Sequence, residues 1–196
     1  MSDSMPPPPP PPPPAGGYGG PPPPALGVPR PGELLDRFLA RLIDGVILGI
    51  VGGILIAILS AILISDTTYN IRTGEFEGGS LILYYIVLGI VLAPLYIGYQ
   101  GYLESTRGQS VGKMIMKLKV YGPDGVSNPT MEQALRRNIF LAAPIAFIVP
   151  IVGPIIGGLA ALAGEIMIAV GINSDTVKRQ AWHDQFAGGT TVMKIG

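Results

Sequence analysis

The chain of 196 residues has no cysteine, which excludes disulfides and thiolate metal sites. It has one histidine, His183, so any metal centre would have to be assembled from scattered carboxylates, and none is expected. Charge is scarce: only 13% of residues are Asp, Glu, Lys or Arg, and thirteen of each sign leave a formal net charge of zero. No whole-chain attraction to nucleic acid follows, and that partner class is set aside. No nucleophile is placed with a matching base and no nucleotide fingerprint is present, so neither an enzyme nor a cofactor is expected. Ahead of Leu34 there is neither a basic n-region nor an apolar core, so insertion is expected to rely on the first apolar segment rather than on a cleavable signal.

What is abundant is apolar surface, at 48% of residues with a mean hydropathy of +0.46. The expected fold is an all-α transmembrane bundle of four membrane segments, or of three, in a domain spanning residues 33–196. The segments are placed at about 42–64, 81–102, 137–152 and 155–172. Gly45 to Ile64 is uncharged, and its 20 residues cover about 30 Å as a helix, the thickness of a bilayer's hydrocarbon core. The second segment carries Tyr84 and Tyr85 at one end and Tyr96, Tyr99 and Tyr102 near the other, positions suited to two aromatic belts, with Pro94 as a kink site. Ile139 to Ile172 would run about 51 Å as one helix, too long for one crossing. Pro144, Pro150, Gly153 and Pro154 cluster where a break is needed, which predicts two short crossings or a re-entrant hairpin turning near Gly153 and Pro154.

Fifteen of the 21 prolines fall within the first 31 residues, so residues 1–32 read as a disordered tail with polyproline stretches. It serves either as a solvated spacer or as a ligand for a proline-binding cytoplasmic partner. Small residues recur every fourth position at Gly45, Gly49, Gly53, Ala57 and Ala61, a face suited to close helix packing or to a homo-oligomer through Gly45, Gly49 and Gly53. Basic residues crowd Leu103–Asn138 and the C-terminal end, whereas Ser65–Ser80 is acidic. The positive-inside rule therefore predicts a multi-pass protein of the cell membrane with both termini cytoplasmic. Lys117–Tyr121 and Thr190–Ile195 read as two short strands able to pair on that side, and Thr130-Met-Glu-Gln133 as a capping box.

Charged groups next to or inside apolar runs are the candidate sites. Arg37, Arg41 and Asp44 share one face of the first helix, where the arginines anchor at lipid phosphates and Arg41 neutralises Asp44, or the three form a cation or proton site. Glu165 lies among GGLAALAG and IMIAVG at membrane depth, either bonding between helices or taking part in transport. His183 is expected to hydrogen-bond at the interface, with proton relay as the alternative. Arg107, Lys113 and Trp182 are expected at the lipid interface. The loop from Gly108 to Lys113 is not a phosphate loop: its G-x-x-x-G-K is one residue short, and Met114 replaces the required hydroxyl.

Three stretches resemble the RDD family of small membrane proteins. Arg37-Phe-Leu-Ala-Arg-Leu-Ile-Asp44 resembles its R-x-x-A-x-x-x-D entrance, Gly108-Gln-Ser-Val-Gly-Lys113 its G-Q-x-x-G-K loop, and Trp182-His-Asp-Gln-Phe-Ala-Gly188 its H-D-x-x-A-G end. The resemblance covers roughly residues 33 to 195 and carries over Arg37, Asp44 and Asp184 as the family's arginine and two aspartates. Met116, where a small residue is expected, and the extra Gly189 bear on the register of the two strands. The resemblance implies an integral membrane protein with a transport role and no defined substrate.

The expected function is transport of a small ion or solute, with a proton or small cation exchanged at Asp44, Asp184 and Glu165, Arg37 and Arg41 holding Asp44 ionised, and membrane lipids around it. Replacing Asp44 with Asn is expected to abolish flux and spare the fold. The alternative is a membrane scaffold that recruits a partner through its proline-rich tail.

Overall fold

The computed structural model describes residues 28–196. The tail expected over residues 1–32 therefore lies, up to residue 27, outside the described residues, and so does any partner site within it. Its final part is not tail: Arg30–Pro31 forms a strand, β1.

The remaining elements, in chain order, are α1 (Leu34–Leu63), β2 (Thr68–Asn70), β3 (Glu75–Glu77), α2 (Leu81–Arg107), α3 (Val111–Ile115), β4 (Leu118–Tyr121) and α4 (Met131–Arg137). A 3₁₀ helix (Ile139–Ile148), α5 (Val152–Ser174), α6 (Trp182–Phe186) and β5 (Thr191–Lys194) complete the domain. Among the described residues three helices, α1, α2 and α5, are long and apolar enough to cross a membrane. The apolar 3₁₀ segment has ten residues, which at about 2 Å per residue reach only about 20 Å, short of the roughly 30 Å hydrocarbon core. It lies packed between α2 and α5.

Local chemistry fixes the element ends. Ser80 caps α2 by accepting from the Leu83 amide at 3.2 Å, and Gly108 ends it in the left-handed region at φ 72° with its N–H on the Glu104 carbonyl. Thr130 and Gln133 form the expected capping box at α4. The predicted break comes slightly earlier than Gly153: the chain turns at Val149–Ile151, where Ile151 takes φ 67°, and Pro154 sits in the first turn of α5. Proline is tolerated there because the first amides of a helix have no internal acceptor.

α5 packs on the 3₁₀ helix through its own glycines. A Cβ on Gly153 would collide with the Ala146 carbonyl, and one on Gly157 would stand 2.7 Å from the Ala143 carbonyl. The strip Gly45, Gly49 and Gly53 on α1, by contrast, faces open space, and in α1 it is Gly52 that meets Tyr96.

β4 and β5 pair antiparallel, Leu118 opposite Lys194 and Val120 opposite Val192, and β1 joins the far side of β5 to give the order β1-β5-β4. Gly188 and Gly189, at φ 89° and 96°, absorb the extra residue in the turn before β5, so the ladder register is undisturbed. Met116 packs against the sheet's buried core of Ala40, Leu118, Val120 and Val192. Since β1 leads into α1 and β5 follows α6, both ends of the described chain lie at one end of the bundle. The acidic hairpin β2–β3 joins α1 to α2 at the other end.

Candidate functional site

Where α1, α2 and the loop into α3 meet, Asp44 is fully buried. Its Oδ1 accepts from the Tyr99 hydroxyl at 3.0 Å and the Gly112 amide at 2.8 Å; its Oδ2 accepts from Gln100 at 3.0 Å and Ser110 at 2.5 Å. A carboxylate has about four acceptor positions, so the set is matched. Gly112 is required at this point because a Cβ there would strike the Ala40 carbonyl. The G-x-x-x-G-K stretch thus wraps a carboxylate instead of a phosphate.

Lys113 continues the network inward. Its ammonium donates to Gln100 at 3.2 Å and to Ser110 at 3.3 Å, and stands 2.8 Å from Glu104. Glu104 also accepts from Arg137 at 3.3 Å and from Asn138 at 3.0 Å. Arg137 Nε donates to Asp184 at 2.8 Å, and Arg37 approaches the other Asp184 oxygen at 3.4 Å. The two aspartates are therefore linked through Lys113, Glu104 and Arg137, inside the protein.

Burial disfavours charge, and the network opposes it. Burial alone would push the Asp184 carboxyl up, but Arg137, His183 and Arg37 hold it at about 2. Burial pushes Lys113 down against the pull of Glu104. Burial would lower Arg137 as well, yet Asp184 and Glu104 leave it raised. For His183 burial wins, and the imidazole is pushed down to about 3. Its Nε2 lies 3.4 Å from the Arg137 guanidinium, which can only donate, so Nδ1 carries the proton. That Nδ1 is buried without a partner among the described residues.

Several expected pairings are replaced. Arg41 does not neutralise Asp44; its Nε donates to Glu165 at 3.1 Å, and its guanidinium lies over the Phe140 ring at 4.7 Å. Arg37 holds Asp184 and the Gly32 and Val192 carbonyls. Lys113, expected at lipid phosphates, is enclosed beside Glu104. Trp182, expected as an interfacial anchor, packs on the Ile168–Ile172–Ala181 cluster and beside Phe140, its ring nitrogen buried. Arg107 is exposed.

The family model of the RDD family matches residues 31–188, a stretch that begins in β1 and closes after the Asp184 turn. The chain belongs to the RDD family. No curated protein and no solved structure gives a significant match. In this RDD protein the family-named residues are two halves of one construction: Asp44 fastens α1 to α2 and the α3 loop, while Arg37 and Asp184 fasten α1 to the C-terminal segment.

Glu104, Gln100 and Arg137 have no place among the residues read from the sequence. The signal was there: Gln100 and Glu104 lie one turn apart, both polar, in the last turns of an otherwise apolar helix. Beside the network, a cleft of about 590 Å³ separates α1 from α5. Arg37, Arg41, Lys113, Arg137 and His183 line its inner end, and Glu165 borders it from α5.

Proposed function

We propose that this RDD protein carries a small ion or solute across the cell membrane, with proton exchange at Glu165. The supporting observation is the cleft, which runs from the exposed apolar faces of α1 and α5 to the buried ionic network. Asp44 and Asp184 have no exposed surface and matched donors, so they serve as fasteners, whereas the Glu165 side chain keeps 42% of its surface exposed and has one charged partner among the described residues, Arg41. An ionisable pair inside a membrane helix bundle is costly to maintain and marks a pathway by default. Loss of the Glu165 charge would release Arg41, and its return would restore the pair, so the contact between α1 and α5 is tied to the proton. The basic residues around the sheet end support a cytoplasmic placement of both termini by the positive-inside rule.

The test is flux in proteoliposomes carrying an internal pH dye, under imposed sodium, potassium and pH gradients. The wild-type protein is expected to acidify or alkalinise the lumen in response to one cation, Glu165→Gln to abolish the response, and Glu165→Asp to retain part of it. Equal responses from wild type and Glu165→Gln would refute the assignment.

A further inference from the structure

The inner end of the α1–α5 cleft is rich in donors. Four cations line the cleft, Arg37, Arg41, Lys113 and Arg137, against two acids, Glu104 and Glu165. Asp44 and Asp184 lie behind this wall with their own donors matched. Two donor groups remain unused. Arg41 engages only its Nε–H with Glu165 among the described residues, which leaves the terminal edge of its guanidinium free, the fork that fits a phosphate. His183 lines the same cleft, 5% exposed, and its Nδ1–H has no partner among the described residues. The His183 donor is enclosed, so the free edge of Arg41, whose side chain is 25% exposed, is the donor that an acceptor from outside the chain can reach.

The outer part of the cleft is apolar. Phe38, Leu42 and Val46 on α1 and Ile166 and Ala169 on α5 form its sides, and the first four are more than half exposed. These belong to two helices able to cross a membrane, so what they face is lipid. The molecule that is already present there, and that joins a monoanionic acceptor to an apolar chain, is a phospholipid.

We infer that the cleft between α1 and α5 is a binding site for an anionic phospholipid, its phosphodiester held by the free edge of Arg41 and one acyl chain lying along Leu42, Val46 and Ile166. Glu165 is the competitor: it occupies Arg41 when the lipid is absent and is displaced from it when the phosphate arrives. The inference stands on the cleft alone and does not depend on the transport reading, since it is read by binding and not by flux.

The experiment is native mass spectrometry of the detergent-solubilised full chain, titrated separately with phosphatidylglycerol, with phosphatidylcholine of the same acyl chains, and with inorganic phosphate. Phosphatidylglycerol adducts are expected to survive, phosphatidylcholine to bind about tenfold more weakly, and inorganic phosphate not to displace the lipid at equal concentration. Arg41→Gln should weaken the phosphatidylglycerol adduct about tenfold, the loss of one charge-assisted hydrogen bond, whereas Glu165→Gln should strengthen it by removing the competitor. A general loosening of the fold would move both variants the same way. Ala169→Trp, which fills the cleft from its lipid side, should remove the adduct with the melting temperature unchanged, and it carries the test if Arg41→Gln fails to fold. Equal binding of the two lipids, unchanged binding in Ala169→Trp, or displacement by inorganic phosphate would each overturn the proposal, the last by showing a free-anion site.

Discussion

Arg137 Nε donates to Asp184 Oδ1 across 2.8 Å, with the arginine side chain 4% exposed and the aspartate fully enclosed. The same guanidinium reaches Glu104 at 3.3 Å, so a single cation from α4 joins the helix α2 to the C-terminal turn. All three residues are buried, so the network is costly to break.

Replacing Arg137 with Met removes one cationic partner from each of two buried carboxylates, leaving Glu104 with Lys113 and Asp184 with Arg37. Melting of the detergent-solubilised protein should show a loss of about 3–5 kcal/mol, the range for breaking a buried ion pair on one side. Arg137→Lys should recover only part of it, because an ammonium cannot bridge Glu104 and Asp184 with a planar fork. Full recovery by lysine would show that the charge alone suffices.

Asp44→Asn is expected to cost stability, because the carboxylate is fully buried among four donors, whereas the sequence alone led us to expect that the fold would be spared. Two of the four donors around the carboxylate would face an amide NH₂, and the fold should lose about 1–3 kcal/mol. The Gly112 amide, now bonded to Asp44 at 2.8 Å, should exchange its hydrogen faster. Unchanged exchange at Gly112 would mean that the loop is held by something else.

Acid should destabilise the protein in two stages. The unfolded chain protonates His183 near 6.5, whereas the fold resists until about 3. Stability is therefore complete above pH 6.5 and falls through this window as pH drops, at up to about 1.4 kcal/mol per pH unit. Asp184, at about 2 in the fold against an ordinary 3.8, adds a second loss between those values. His183→Gln should flatten the first stage and shrink the second, which Arg137 and Arg37 still sustain, as read from melting temperature against pH. A variant as steep as wild type between pH 6 and 4 would exonerate the histidine.

The two glycine strips should respond in opposite ways. Gly157→Leu must push the 3₁₀ helix off α5 and should cost about 1–3 kcal/mol or more. Gly49→Leu meets open space and should leave the stability within about 0.5 kcal/mol of wild type. A lower mass for Gly49→Leu by light scattering would locate contact with a second copy on this face; a large loss of monomer stability would contradict the structure.

Much of the fold was legible because hydrophobic length and turn chemistry are local properties. The runs after Asp44 and Leu81, the break forced by Pro150, and the Thr130–Gln133 capping box could all be read from neighbours in the chain. The alternation in Lys117–Tyr121 indicated a strand. β1 was not legible, since two residues, Arg30 and Pro31, carry no periodicity and become a strand only through pairing with Lys194 and Met193. The site was half legible for a related reason. Helical spacing put Arg41 one turn from Asp44, but its partner is Glu165, 124 positions away. Lys113 looked like a surface cation because nothing local shows that Glu104 and Gln100 will meet it.

The short sheet has a consequence for biogenesis. Its central strand is Thr191–Lys194, and the strand beside α1 is Arg30–Pro31, so the ribosome must have synthesised residue 194 before the sheet can close. The first helix is delivered to the bilayer while Arg37 still awaits Asp184, and assembly of the charged network is deferred until translation of those last strands is done. Nascent chains arrested before residue 182 should therefore insert their helices yet remain open to protease near Arg37.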